Sequence, residues 1–219
     1  MFTGIIEHLG IIESLDRHSD GSKISIHAPS VAANLAVSNS IAVNGCCLTI
    51  VSVANERFSA DLSGETLAKT SFRELKPGVR VNLEQPLTAG KEFGGHFVLG
   101  HVDATGRVAK LNRESPGSDN WLFGVQVPAD FARYIVPKGS ITIDGISLTV
   151  ASWKDGVAEV AVISYTYEHT NLSDRKPGDA VNLEGDVLGK YVERYLEARN
   201  EATASPTRYT EAQLIEEGF

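Results

Sequence analysis

Two short stretches hold the side chains best suited to chemistry, and they are versions of one another. Val43–Val53 reads VNGCCLTIVSV and Ile143–Trp153 reads IDGISLTVASW. Residues two apart on a strand share a face, so Cys47 goes with Thr49 and Ser147 with Thr149. A thiol can add to an electrophilic carbon, and hydroxyls can bond a ring or pass a proton. Each needs a partner to do so, because an unperturbed thiol is mostly protonated at neutral pH. Cys46, whose counterpart is Ile146, reads instead as a small packed hydrophobe.

A third stretch, GGHFVLGH, supplies His96 and His101. Their spacing fits half of a zinc finger, but no Cys-x-x-Cys accompanies it, so no metal site is expected. His101 follows Gly100, where backbone can approach a ligand closely, and it aligns with Ile5 in the first half of the chain. It therefore breaks the internal symmetry, as Cys47 against Ser147 does. The other histidines (His8, His18, His27 and His169) join no constellation and read as surface or structural. Lys138 is the one cation near this set, while Asp144 and Asp186 read as turn acids. Neither GxGxxG nor a Walker pattern occurs, so no nucleotide loop is expected.

The elements that must position these groups come from a duplication. Lys76-Pro77-Gly78 recurs as Lys176-Pro177-Gly178, and Val81-Asn82-Leu83-Glu84 as Val181-Asn182-Leu183-Glu184, an offset of 100 residues. Gly4, Gly10 and Leu15 align with Gly100, Gly106 and Leu111, an offset of 96. The difference of four residues (100 − 96) falls naturally in the turn-rich Asn112–Asn120. Copies of this size are domains rather than solenoid repeats. We expect a first domain at 1–96 that includes the N-terminal residues, a second at 97–186, and residues 87–95 as the linker.

Within each copy short β-branched runs alternate with Gly, Asn, Asp and Pro. The first copy gives strands at Gly10–Leu15, Lys23–His27, Ser40–Val43, Cys47–Val53, Arg57–Asp61 and Val79–Leu83, the pattern of a small antiparallel barrel or sandwich. Helices are expected at Ser30–Val37 and Glu65–Leu75, and in the second copy at Ala129–Val136 and Tyr165–Leu172. Residues 187–219 have no counterpart in the first copy. There Val187–Arg199 carries Leu188, Tyr191, Val192, Tyr195 and Leu196 on one helical stripe, a face that another subunit could cover.

The formal net charge of −8, with no block of Lys or Arg, argues against nucleic acid as a partner. No apolar run reaches the ~20 residues of a membrane span, and the N-terminus has no signal-peptide pattern. Two adjacent cysteines build no disulfide framework, which fits a reducing cytoplasm.

Taken together and in order, MFTGII, NGCCLT, GGHFVLGH, DGISLT and the paired KPG…VNLE resemble riboflavin synthase of the alpha-chain type. The resemblance spans about nine-tenths of the chain. It implies two six-stranded Greek-key barrels and a C-terminal helix, mainly β, assembled as a homotrimer through those helices. The implied reaction passes four carbons between two molecules of 6,7-dimethyl-8-ribityllumazine, without cofactor or metal. Riboflavin and a ribitylamino-pyrimidinedione result. Each implied active site lies between the N-terminal barrel of one subunit and the C-terminal barrel of the next.

Carried over by motif, the N-terminal barrel would contribute Gly4, Ile5 and Ile6, then Cys47, Leu48 and Thr49, then Asp61, Leu62, Ser63, Gly64, Glu65 and Thr66. The C-terminal barrel would contribute Gly100, His101 and Val102, Lys138, then Ser147, Leu148 and Thr149, then Ala161, Val162, Ile163, Ser164, Tyr165 and Thr166. Phe2 and Ser40 would shape the site, and Asp186 would orient a partner. On this reading Ser147 and His101 assist proton removal from the C7 methyl of one lumazine, while Cys47 with Thr49 acts at C7 of the other. Tyr165 stands where the first copy has Glu65, so no role rests on a carboxylate there. The alternative is a non-catalytic lumazine- or flavin-binding protein of the same fold.

Overall fold

The computed structural model describes residues 1–18, 21–204 and 215–218. The first copy contributes β1 (His8–His18), β2 (Gly21–His27), β3 (Ser40–Val43), β4 (Cys46–Ala54), β5 (Arg57–Leu62) and β6 (Arg80–Glu84). They close into an antiparallel barrel in the order β1-β2-β5-β4-β3-β6. Pairing of β2 with β5 rather than β3 is the crossing of a Greek key. The second copy repeats it with β7 (Ala104–Arg113), β8 (Trp121–Gln126), β9 (Ser140–Ile143), β10 (Ile146–Lys154), β11 (Val157–Val162) and β12 (Ala180–Gly185).

Alternation along each strand builds the cores. On β4 the side chains of Cys46, Leu48 and Ile50 are buried while Cys47 and Thr49 face outward. Ile146, Leu148 and Val150 do the same on β10, leaving Ser147 and Thr149 outside. Registers shift after Ile50 and after Val150, matching bulges that increase the bend of the strand. The β3–β4 hairpin turns on Asn44-Gly45, at φ of 43° and 76°, and β9–β10 on Asp144-Gly145, at 47° and 81°. Both residues of such a turn need positive φ, which Asn-Gly and Asp-Gly supply at least cost.

The expected helices are shorter than the pattern suggested. Ser30–Val37 holds only a 3-10 turn at Ala32–Asn34, because the Asn39 carboxamide accepts from the Ala36 amide and the chain turns back. Glu65–Leu75 divides into α1 (Gly64–Lys69) and a 3-10 turn at Ser71–Glu74. Between them Thr70 is extended, and its hydroxyl accepts from the Phe72 amide. The second copy repeats this with α2 (Ser164–His169) and Thr170, while Ala129–Tyr134 is a 3-10 helix. Beyond the barrels α3 runs Val187–Ala204, one turn past expectation, with all five residues of its apolar stripe exposed. Among the described residues no helix is long and apolar enough to cross a membrane.

Residues 1–186 form one compact unit, in which the two Asx-Gly hairpins abut. A Cβ on Gly45 would lie 2.7 Å from the Gly145 amide nitrogen, and the converse holds for Gly145. Around this contact the copies trade matched hydrogen bonds. The Asn82 carboxamide donates to the Asp144 carbonyl at 2.9 Å, and that of Asn182 to the Asn44 carbonyl at 2.8 Å. Symmetry fails where the Asn171 carboxamide, Ser71 in the first copy, bonds Asn82, Asn44 and Asp144, and at one ion pair. Asp144 is fully buried and paired to Arg175 at 2.5 Å, where the first copy has Asn44 and Leu75.

That difference predicts how the seam responds to substitution. Arg175→Leu strands a buried carboxylate and is expected to cost about 3–5 kcal/mol by urea unfolding. Adding Asp144→Asn, which restores the first copy's pair, is expected to give a more stable protein than Arg175→Leu alone.

Candidate active site

The outward faces of β4 and β10 would be ordinary barrel surface were they not covered by two exchanged segments. The N-terminal residues leave the first barrel and dock on β10, where the Ser147 amide donates to the Gly4 carbonyl at 2.7 Å. Residues 97–102 dock on β4, where the Cys47 amide donates to the Gly100 carbonyl at 2.8 Å. Between these docks the segments pair with each other as an isolated antiparallel bridge, Phe2 to Val98. Ile6 packs against the second core and Val102 against the first.

Glycine is required at both docks. Gly4 has φ 78° and a Cβ there would fall 2.6 Å from the Ser147 Cβ; for Gly100 the values are 80° and 2.7 Å to Cys47. This corrects the motif-based partition. Gly4, Ile5 and Ile6 sit against the C-terminal barrel, and Gly100, His101 and Val102 against the N-terminal one. A peptide dock between distant segments follows no sequence periodicity, so the partition by chain position went astray.

The two docks differ in chemistry. Beside Cys47 lie Phe2, Ala42 and Val98, all buried. His101 opens onto the same side, in a cleft of about 450 Å³ shared with Cys47, Glu65, Thr66, Lys69 and Asp103. Burial pushes the neighbouring Cys46 thiol up to about 12, with the charge of Glu184 adding to the effect, so Cys46 is not the reactive thiol of the pair.

Beside Ser147 the environment is polar. The His96 Nδ1 lies 2.7 Å from the Ser147 Oγ and its Nε2 lies 3.1 Å from the Thr142 Oγ1. Burial holds the His96 pKa below the usual imidazole value, against a smaller upward pull from Asp186. A neutral ring has one donor and one acceptor nitrogen. In one tautomer Nδ1 accepts the Ser147 proton while Nε2–H donates to Thr142. The imidazole within hydrogen-bond reach of the Ser147 hydroxyl is thus that of His96 rather than His101.

Other expected site residues divide by orientation. The side chains of Leu48, Leu148, Leu62 and Val162 are in the barrel cores, so only their backbones can face a ligand. Asp61 and Ala161 are exposed at the ends of β5 and β11. Ser63 caps α1 by accepting from the Thr66 amide, and the Ser63 and Thr66 hydroxyls lie 2.9 Å apart. Glu65, beside Gly64, forms an exposed ion pair with Lys69, whereas Tyr165 stacks on His169 at 4.0 Å. Ile163 is exposed, and Ser164 bonds the Asp119 carbonyl close to Thr166. Ser40 pairs with Thr49 across β3–β4, Lys138 holds a positive φ of 69°, and Asp186 ends the second barrel.

Sequence reasoning weighed His96 only as half of a metal motif and gave it no place in the site, and it missed Thr142. A signal for each was present. The Gly95 that precedes His96 allows no Cβ, which would meet the Thr3 carbonyl oxygen at 2.0 Å. Thr142 replaces Ala42 at the residue opposite Ser147, just as Ser147 replaces Cys47.

Twin Greek-key barrels with one exchanged segment on each define a duplicated two-barrel protein. The family profile described as "Lumazine binding domain" matches twice, at residues 3–86 and 99–186. Curated relatives include riboflavin synthase of Actinobacillus pleuropneumoniae, 43% identical with 90% of each chain covered. That of Mycobacterium tuberculosis is 46% identical over 90% of this chain and 98% of the relative. That of Bacillus subtilis is 36% identical over both full lengths. Among solved structures, LumP complexed with 6,7-dimethyl-8-(1'-D-ribityl) lumazine matches at TM-score 0.76 and 26% identity, covering 84% of this chain and 99% of LumP. LumP complexed with riboflavin matches at TM-score 0.78, with the same identity and coverage. The chain belongs to the riboflavin synthase family.

The buried imidazole sets a pH dependence. Its folded pKa lies below the unfolded value, so the unfolded state binds more protons between the two. The stability it contributes is complete above an unfolded pKa of about 6.5 and is lost as pH falls through the window below. Urea unfolding between about pH 7 and pH 5 is therefore expected to show a loss that His96→Gln lacks in part.

Proposed function

We propose that this chain catalyses the riboflavin synthase reaction, the four-carbon transfer between two molecules of 6,7-dimethyl-8-ribityllumazine. The observation that carries the reading is a pair of like docks with unlike chemistry, apolar with a thiol at Cys47 and polar with an imidazole–hydroxyl pair at Ser147. One donor and one acceptor of the same compound need two pockets of the same shape that differ at the reacting atoms. Relatives named riboflavin synthase are 36–46% identical, against 26% for LumP, so catalysis is favoured over binding alone.

In this reading residues 1–96 and 97–186 each carry one pocket. Ser147 passes its proton to His96 Nδ1, 2.7 Å away, as it takes one from the C7 methyl of one lumazine. Cys47, Thr49 and His101 act around C7 of the other, with Thr149 beside Ser147. The transfer between two identical molecules needs no external oxidant or reductant, and the reading includes no cofactor or metal. Holding both molecules in register is worth roughly 7–11 kcal/mol of barrier, as for other well-oriented pairs. Residues 187–219 serve assembly: the exposed stripe of α3 joins chains into a homotrimer whose active sites pair the N-terminal barrel of one with the C-terminal barrel of the next. The protein acts in the cytoplasm.

Two experiments bear on this. Purified protein given the lumazine alone is expected to form riboflavin, with kcat reduced about a hundredfold or more by His96→Gln. Binding without turnover would leave only a lumazine-binding protein. Tyr191→Glu places charge on the α3 stripe and is expected to shift the sedimenting mass from three chains towards one; an unchanged mass would remove α3 from the assembly.

A further inference from the structure

The repeated VNLE motif ends in two glutamates that the reaction does not use. Both are 2% exposed. Glu84, at the end of β6, accepts from the Thr3 amide and hydroxyl through Oε1, each at 2.7 Å, and from the Gly4 amide through Oε2 at 3.0 Å. Glu184, in β12, accepts from the Leu99 amide through Oε1 at 2.6 Å, and through Oε2 from the Gly100 and His101 amides, both at 3.0 Å. Each buried carboxylate therefore collects three donors from one exchanged segment. Bonds to an ionised acceptor are the strong kind, and they help to offset the desolvation that pushes the Glu84 pKa up.

The connectivity is crossed. Glu84 belongs to the first barrel, yet the segment it holds delivers the Gly4 carbonyl to Ser147 on the second. Glu184 belongs to the second barrel, yet its segment delivers the Gly100 carbonyl to Cys47 on the first and fixes the backbone of His101. Neither carboxylate faces the cleft beside Cys47.

We propose that Glu84 and Glu184 are positioning residues that each set the pocket of the opposite barrel, so that each half of the chain completes the binding site of the other. The proposal rests on the reading of these docks as lumazine pockets, and its geometry can be tested without turnover. A glutamine offers one acceptor oxygen and turns an NH₂ group towards the remaining donors. Substitution by Gln should therefore loosen its own segment most, the other feeling it only through the bonds at Phe2–Val98 and Thr3–His96.

Cys47 is a local reporter, because its neighbour Cys46 is buried and its thiol is pushed up to about 12. In the full-length protein, maleimide labelling of Cys47 is expected to quicken about tenfold in Glu184→Gln, in line with the loss of bonds to a charged acceptor. In Glu84→Gln it should quicken much less, since that segment reaches Cys47 only through Phe2. The amide resonance of Ser147 should shift more in Glu84→Gln than in Glu184→Gln, the reverse pattern. A change confined to overall stability would move both reporters to the same extent in both variants, and that result would overturn the proposal. Should either variant fail to fold, amide exchange in the parent decides. The Thr3, Gly4, Leu99, Gly100 and His101 amides are expected to be protected, and rapid exchange there would end the idea. Absence of lumazine turnover in the parent would defeat the functional reading and leave these comparisons standing.

Discussion

Two peptide hydrogen bonds, from the Ser147 amide to the Gly4 carbonyl and from the Cys47 amide to the Gly100 carbonyl, decide what this molecule can be. Without them β4 and β10 would be plain barrel faces. With them, each face is roofed by a segment that enters from beyond its own barrel, and a chemically distinct residue is held beneath each roof. The glycines at 4 and 100 follow from this, since any Cβ would collide with the strand it docks on. So does the burial of Glu84 and Glu184, which accept from the amides of Thr3, Gly4, Leu99, Gly100 and His101 in those segments.

The duplication supplies symmetry, and substitutions break it at the docks and the seam. Ala42 becomes Thr142 and Cys47 becomes Ser147, which turns an apolar dock into a hydrogen-bonded one. The polar dock then accommodates His96 with both ring nitrogens satisfied, a burial that would otherwise be costly. At the seam Asn44 becomes Asp144 and acquires Arg175. That pair lies between the barrels rather than at either dock, so it orients the halves without touching the chemistry.

Much of the fold was legible in the residues. Short β-branched runs between turn formers placed all six strands of the first copy, and the duplication implied the same set in the second. The helices were overread: Thr70, Thr170 and Asn39 spend their side chains on nearby amides, and such local competition is invisible to a periodicity count. At the site the alternation held more than was taken from it. Cys46, Leu48 and Ile50 form one inward face, so Leu48 and Leu148 belonged to the core from the start, and motif transfer alone listed them towards the ligand. The exchange itself was not legible, because Gly4 and Ser147 meet through backbone atoms that every residue possesses. His96 was noticed in GGHFVLGH but not placed, since its partners Ser147 and Thr142 lie 51 and 46 residues further along the chain.

The central claim is that one chain owns two lumazine pockets of like shape and unlike chemistry. Equilibrium titration of the purified protein with riboflavin, followed by calorimetry under non-reacting conditions, tests it most directly. The account predicts two ligands bound per chain, in two steps of different affinity because the docks differ. One ligand per chain would contradict it, and would mean that the second barrel is scaffold rather than site.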